Sequence, residues 1–212
     1  MNQHYHSTFG AVTESRHIFI ESGLLHFFEE HRRVSGREAE NIRILEVGFG
    51  TGLNALLTVE EAGSRLFHVD YTAIEPFPVD VHLWQALNYP LLQDDTGQAG
   101  RFARIHRAPP DETSVISPFF TLHKHHGPLE TFEGKPGSFD LVYFDAFSPE
   151  AQPELWTSSI FQKLSDLMAA GGVLMTYSVK GTVVRALKES GFLAEKLAGP
   201  PGKRHILRAT KK

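Results

Sequence analysis

The chain has 212 residues, 41% of them apolar and 22% charged, with a formal net charge of −4. That length buries enough apolar surface for one domain, or a domain with a small extension, without staples. No cysteine is present, which excludes disulfides, thiolate metal sites and cysteine nucleophiles; the acidic balance excludes a generally basic nucleic-acid binder.

Met1 to His6 offer no basic region leading into an apolar run, so no secretory signal is expected. No stretch approaches the roughly 18 apolar residues of a membrane span. The expectation is a cytoplasmic protein with no membrane partner. Charge is uneven at the end: after Glu195 no acid follows, while Lys196, Lys203, Arg204, Arg208, Lys211 and Lys212 do. Such a run is either a local phosphate footprint or a solvated face.

Residues 1–17 are polar and lack a strong period. Ile18 to Arg33 reads as a short strand or turn followed by a helix. Ile42 to Val47 is a β-type run ended by glycines, Leu53 to Ala62 is helical in period, and Val69, Tyr71 and Ala73 alternate in a second strand. Pro78 to Leu87 is a helix with proline at its permitted start. Arg101 to His106 is a possible strand, and Phe119 to Leu122 is strand-like. Phe139 to Phe144 is almost wholly apolar, as in a strand covered on both faces. Pro153 to Ala169 is a helix stopped by Gly171 and Gly172; Val173 to Tyr177 is a strand and Thr182 to Glu189 a helix.

Phe192 to Leu197 and Arg204 to Ala209 close the chain as strands, with only Ala198 to Lys203 between them. That link is too short for a crossover, so the two should be antiparallel. Alternating strands and helices predict right-handed crossovers and a covered, largely parallel sheet. The expected fold is the Rossmann-like α/β arrangement of class I methyltransferases: a mostly parallel seven-stranded sheet with an antiparallel terminal strand. Residues 1–41 are expected as an N-terminal extension packed on the core, and 42–212 as the domain.

Glu46-Val47-Gly48-Phe49-Gly50-Thr51-Gly52-Leu53-Asn54 lies where a strand ends and a helix begins. Glycines there allow a tight turn and close approach of a ligand to the backbone. The absence of Gly-Lys-Ser/Thr excludes a nucleoside-triphosphate loop. The spacing Gly-x-Gly-x-Gly differs from the Gly-x-Gly-x-x-Gly of dinucleotide folds. Glu46 in the loop suits a cationic ligand better than a pyrophosphate, which points to S-adenosylmethionine. Glu75, 25 residues after Gly50, ends the second strand and is expected to hold ribose hydroxyls.

Asp145 ends the strand 139–144 and is followed by Ala146, Phe147, Ser148 and Pro149. Ligands of open α/β sheets lie outside the carboxyl ends of the strands, so Asp145 should face the glycine loop, with Phe147, Ser148 and Pro149 lining the acceptor's approach. A carboxylate there can hold an amine acceptor and take its proton. Capping of the following segment is the plainer role for such an aspartate. His123, His125 and His126 lack a neighbouring acid cluster, so no metal is expected.

Four segments together resemble one family: His4-Tyr5-His6-Ser7 with Glu14 to Phe19, Glu46 to Asn54, Asp145 to Pro149 with Pro153-Glu154-Leu155-Trp156, and Gly199 to Arg204. They are similar to the MnmD methyltransferases of the tRNA wobble-uridine pathway, and to the methyltransferase half of the bifunctional MnmC. The resemblance implies S-adenosylmethionine as cofactor, tRNA as partner, and methylation of the amine of 5-aminomethyl-2-thiouridine at position 34 to the 5-methylaminomethyl form. It implies no flavin, which serves the other half of MnmC. Carried over by residue, it implies cofactor contacts from Glu46, Gly48, Gly50, Gly52, Asn54, Glu75 and Asp145, with Asp145 also catalytic. Glu14 and Arg16 match a motif near the cofactor pocket, and Lys180 follows the strand bordering it. Lys203 and Arg204, with Phe147, Ser148 and Pro149, are expected on the substrate side. Many methyltransferases place an acid near the position of Pro128 to bind adenine. Here only Glu130 is near, so backbone groups are expected to hold that ring. The alternatives are methylation of a small-molecule amine and a non-catalytic nucleoside-binding module.

Overall fold

The computed structural model describes residues 8–36, 41–87, 89 and 97–212; the His4-Tyr5-His6-Ser7 segment lies outside them. Among the described residues the sheet is eight-stranded, in the order β3-β4-β2-β1-β5-β6-β8-β7. These strands are β1 Asn41–Val47, β2 His68–Ile74, β3 Thr113–Ser117, β4 Phe120–His125, β5 Phe139–Phe144, β6 Met168–Thr176, β7 Phe192–Ala198 and β8 His205–Lys211. β4, β2, β1, β5 and β6 run parallel. β8 is antiparallel to β6, and β7 pairs antiparallel with β8 over its full length. The class I arrangement expected from the sequence is therefore present, with one correction: eight strands rather than seven. The extra one, β3, adds antiparallel to the edge of β4 through a bulge between Val115 and Ser117.

The helices are α1 Thr8–Ser15, α2 His26–Ser35, α3 Leu53–Arg65, α4 Val81–Gln85, α5 Gln98–Arg107, α6 Ser158–Leu167 and α7 Gly181–Glu189. Two expectations are corrected here. Residues 8–35 are helical throughout, because a π-helical stretch, Arg16–Leu25, joins α1 to α2 without a break. Its Ile18-Phe19-Ile20 run looks like a strand in isolation, but all three side chains are buried against the sheet, with the Phe19 and Tyr143 rings 5.1 Å apart. Packing overrides the weak helix propensity of β-branched residues. The second is Arg101 to His106, which lies within α5, where Phe102 and Ile105 bury one helical face. The predicted 78–87 helix shortens to α4, whose start is capped by Asp80 accepting from His82 N–H.

One apolar layer joins the 16–25 stretch, α3 and α5 to one sheet face; the other joins α6 and α7 to the opposite face. β1 sits between β2 and β5. The chain leaves β1 for β2 on one side and returns to β5 on the other, which makes the β1–β5 boundary the topological switch point where a crevice opens.

Candidate functional site

Three strands deliver their carboxyl ends to that crevice. β1 ends at Val47, β2 at Ile74 and β5 at Phe144, aligned in register. The ladder extends one bond beyond each strand: Gly48 N–H donates to the Ile74 carbonyl at 3.1 Å and Asp145 N–H to the Val47 carbonyl at 3.0 Å. These bonds place the glycine turn and Asp145 side by side. Gly48 has φ +91°, and a Cβ there would lie 2.7 Å from the Asp145 carbonyl oxygen. Two backbones cross where only glycine fits. Gly50 has φ +49° and no heavy atom within 4 Å of a hypothetical Cβ, so its backbone faces open space. Gly52 caps α3.

Glu75 accepts from Gly50 N–H and from Phe77 N–H, one bond to each carboxylate oxygen, both at 2.9 Å. The acid at the end of β2 thus holds the glycine turn, a role the sequence did not reveal. Each oxygen keeps acceptor capacity for a ligand.

Glu46 and Asp145 are linked through Asn54. Its Nδ2 donates to Glu46 Oε1 at 2.9 Å and to Asp145 Oδ2 at 2.9 Å. Glu46 is 0% exposed and Asn54 3%, whereas Asp145 is partly open to the crevice. Burial raises the Glu46 carboxyl well above the usual range, and the charges of Asp145 and Glu75 raise it further. Burial also pushes Asp145 up to about 7; the bond from Asn54 opposes this, Glu14 adds to it and Lys203 opposes it.

Glu14 and Lys203 reach the same place from distant parts of the chain. They form an ion pair, and Lys203 Nζ lies 4.6 Å from the centre of the Tyr177 ring. The Tyr177 hydroxyl donates to the Ala146 carbonyl at 2.9 Å, which locks the ring to the loop after Asp145. Phe147 is 61% exposed, while its carbonyl accepts from Trp156 Nε1 at 2.9 Å. The ring is presented on a fixed backbone. Ser148 accepts through its carbonyl from Ala151 and Gln152 N–H, and Ser148 and Pro149 are half-buried. Arg204 is exposed.

Other expected residues have different partners. Arg16 pairs with Glu61 at 3.1 Å and Glu60 at 3.7 Å on α3. Lys180 pairs with Glu150. Glu130 is exposed in a short turn, Leu129–Thr131, and its carbonyl accepts from Lys163. Within the basic tail, Arg208 pairs with Glu195 at 2.7 Å and Lys211 donates to the Met168 carbonyl at 2.8 Å.

Sequence reasoning missed the wall beside the glycine turn. His106 on α5 stacks on Trp84 of α4, centroids 4.6 Å apart and planes 6° from parallel. Its Nε2 lies 3.1 Å from the Thr51 carbonyl. Burial lowers its pKa to about 4, so the ring is neutral and Nε2–H donates to Thr51. Tyr177 and Tyr71 were likewise not legible as neighbours of Asp145, since nothing local in the sequence brings them there, whereas Glu14, expected near the cofactor pocket, does act on Asp145.

The crevice therefore offers an open glycine backbone, acids at the ends of β2 and β5, and a lysine already paired. That donor set fits a ligand with cationic groups and hydroxyls, and fits S-adenosylmethionine, which carries both and no phosphate. Comparisons agree. A family described as S-adenosyl-L-methionine-dependent methyltransferase matches residues 126–212. The bifunctional protein MnmC of Magnetococcus marinus, named for tRNA 5-methylaminomethyl-2-thiouridine biosynthesis, is 31% identical, over 97% of this chain and 30% of its own length. MnmC of Pseudomonas fluorescens is 31% identical, over 96% and 31%. The chain thus spans less than a third of these relatives. In fold it is similar to MNMC2 from Aquifex aeolicus, with a TM-score of 0.72 and 23% identity over 94% of this chain and 60% of that one. The chain is thus similar to the S-adenosyl-L-methionine-dependent methyltransferases over residues 126–212 and, over nearly its whole length, to the portion of MnmC that it matches.

Proposed function

We propose that the protein methylates the amine of 5-aminomethyl-2-thiouridine at tRNA wobble position 34, giving 5-methylaminomethyl-2-thiouridine. The observation that carries this reading is Asp145: a partly open carboxyl at the switch point, held by Asn54 and with a pKa raised to about 7. The two-part relatives named for this modification supply the acceptor.

Bound S-adenosylmethionine supplies a methyl group on an activated sulfonium. Gly48, Gly50 and Gly52 offer backbone to it, and Glu75 offers two oxygens to the ribose hydroxyls. Asp145 Oδ1, left free by Asn54, accepts a hydrogen bond from the acceptor amine and takes the proton that this nitrogen loses. A carboxyl poised near neutral pH suits that exchange better than an ordinary aspartate. Phe147 provides an exposed face on which the uracil ring stacks. Tyr177 and the Glu14–Lys203 pair border the far side.

The deciding experiment combines the protein, methyl-labelled S-adenosylmethionine and tRNA bearing the unmethylated nucleoside, followed by nucleoside analysis. Label in 5-methylaminomethyl-2-thiouridine is expected. Equally fast methylation of a free small amine would instead favour the small-molecule reading, and cofactor binding without transfer the binding-module reading. Lys203, Arg208 and Lys211 already have partners, so few cations remain for phosphates, the exposed ones at this end being Lys196, Arg204 and Lys212. Raising salt from about 50 to about 200 mM is expected to weaken tRNA binding about tenfold, the loss for neutralising about two phosphates. A salt-independent affinity, measured by filter binding, would remove Arg204 and its neighbours from the interface.

A further inference from the structure

Glu46 and Asn54 belong to the glycine-loop string, and that position makes them natural candidates for cofactor contacts. Their geometry gives a different result. Glu46 presents no surface to the crevice, and Asn54 almost none. A ligand lying against the glycine turn cannot touch Glu46 without displacing Asn54. The amide spends both Nδ2 hydrogens on carboxylates, one on each. This orientation gives both acids a donor and leaves Oδ1 buried without a partner; the reverse would set Oδ1 against the Asp145 carboxylate. Thr58 Oγ1 donates to the Asn54 carbonyl at 2.7 Å, fixing the backbone from which the side chain extends.

We infer that Asn54 and Glu46 are positioning residues for Asp145 rather than cofactor ligands: a fully buried acid anchors one amide from behind, and that amide holds the carboxylate at the mouth of the crevice. This rests on the reading of Asp145 as the group that takes the amine's proton. The arrangement leaves Oδ2 committed to Asn54 and Oδ1 available to the acceptor. It also makes Asn54 a hydrogen-bond donor that favours the charged form of Asp145, the form able to accept a proton.

Other groups bear on the same carboxyl from each element around it. Glu14 of α1 and Lys203 of the β7–β8 turn act in opposite senses. Tyr177 after β6, Tyr71 of β2 and Glu46 of β1 also feel its charge. Of the described residues, Asn54 is the one that hydrogen-bonds its side chain.

The test measures cofactor affinity, methyl transfer and its pH profile for Asn54→Ala, Glu46→Leu, Glu46→Gln and Asp145→Asn. Asn54→Ala should lower kcat about 100-fold, the scale of a displaced reacting group. It should move the acid limb of the kcat profile to higher pH, because the carboxylate loses its donor. Cofactor affinity should stay within about threefold, since no ligand contact is removed. Glu46→Leu should reproduce this pattern, and Glu46→Gln, which keeps an acceptor for the amide, should restore most of the lost rate. If Asn54→Ala fails to fold, as a thermal melt would reveal, the contrast between leucine and glutamine at 46 decides alone. A tenfold or greater loss of cofactor affinity with an unmoved pH limb would make these residues cofactor ligands and overturn the inference. An inactive Asp145→Asn beside an unaffected Asn54→Ala would overturn it while leaving the proposed function intact. An active Asp145→Asn would overturn both.

Discussion

Asp145→Asn is expected to keep cofactor binding within about threefold and to lower methyl transfer by about 10²–10⁴-fold, the contribution of a general base. Asparagine preserves the shape and still offers an oxygen to Asn54 Nδ2, but it cannot take a proton. In the unsubstituted protein the rate should rise through neutral pH. Asp145, with its pKa raised to about 7, is increasingly able to accept a proton as pH climbs past that value. The acceptor amine loses its own proton in the same direction. Below pH 7 the rate should fall at least about tenfold per unit, and more steeply where the amine's protonation adds to that of Asp145. A flat profile between pH 5 and about 8 would contradict the assignment.

The same group has a stability consequence of opposite sign. Its carboxyl titrates near 4 in the unfolded chain and at about 7 in the folded protein. Between those values the native state binds more protons, so its stability falls as pH rises. The ionised carboxyl therefore destabilises the fold above pH 7, by an amount of order 1–3 kcal/mol for a partly open group. Asp145→Asn should melt at a higher temperature than the parent at pH 8 and at a similar one at pH 4. An equal shift at both pH values would mean that the gain does not come from the charge.

Gly48→Ala is expected to destabilise the protein by about 2–4 kcal/mol, combining left-handed backbone strain with overpacking. The added methyl would lie 2.7 Å from the Asp145 carbonyl oxygen and 3.0 Å from its carbon, at φ +91°. Neither backbone can yield, because Gly48 N–H is bonded to Ile74 and Asp145 N–H to Val47. Methyl transfer should be lost with it, as Asp145 moves. Gly50→Ala is the matched control. It meets no atom within 4 Å at φ +49°, so about 1–2 kcal/mol of backbone strain is the expected cost, with weakened cofactor binding. Urea unfolding of the two variants distinguishes contact from strain; equal losses would mean that the approach of the two loops is unimportant.

What the sequence determined by itself is local in origin. The glycine string between a short apolar strand and a helical period, and an acid ending each of two strands, follow from chain chirality and pattern alone. So does the antiparallel closing pair, whose connection of a few residues permits no other geometry. The crevice could be located because ligands of open α/β sheets collect at the strands' carboxyl ends. Packing decided the rest. The Ile18-Phe19-Ile20 run became helical because the sheet face beneath it needed cover, and Arg101 to His106 because Phe102 and Ile105 meet the core only at helical spacing. Nothing in residues 8–36 foretells that Glu14 meets Lys203 almost 200 positions later. Nor does the loop string reveal that Glu46 is sealed behind Asn54, or that Glu75 holds Gly50. Which polar atoms meet, and so which acid is left able to accept a proton, depends on the distances and burial that only the folded chain sets.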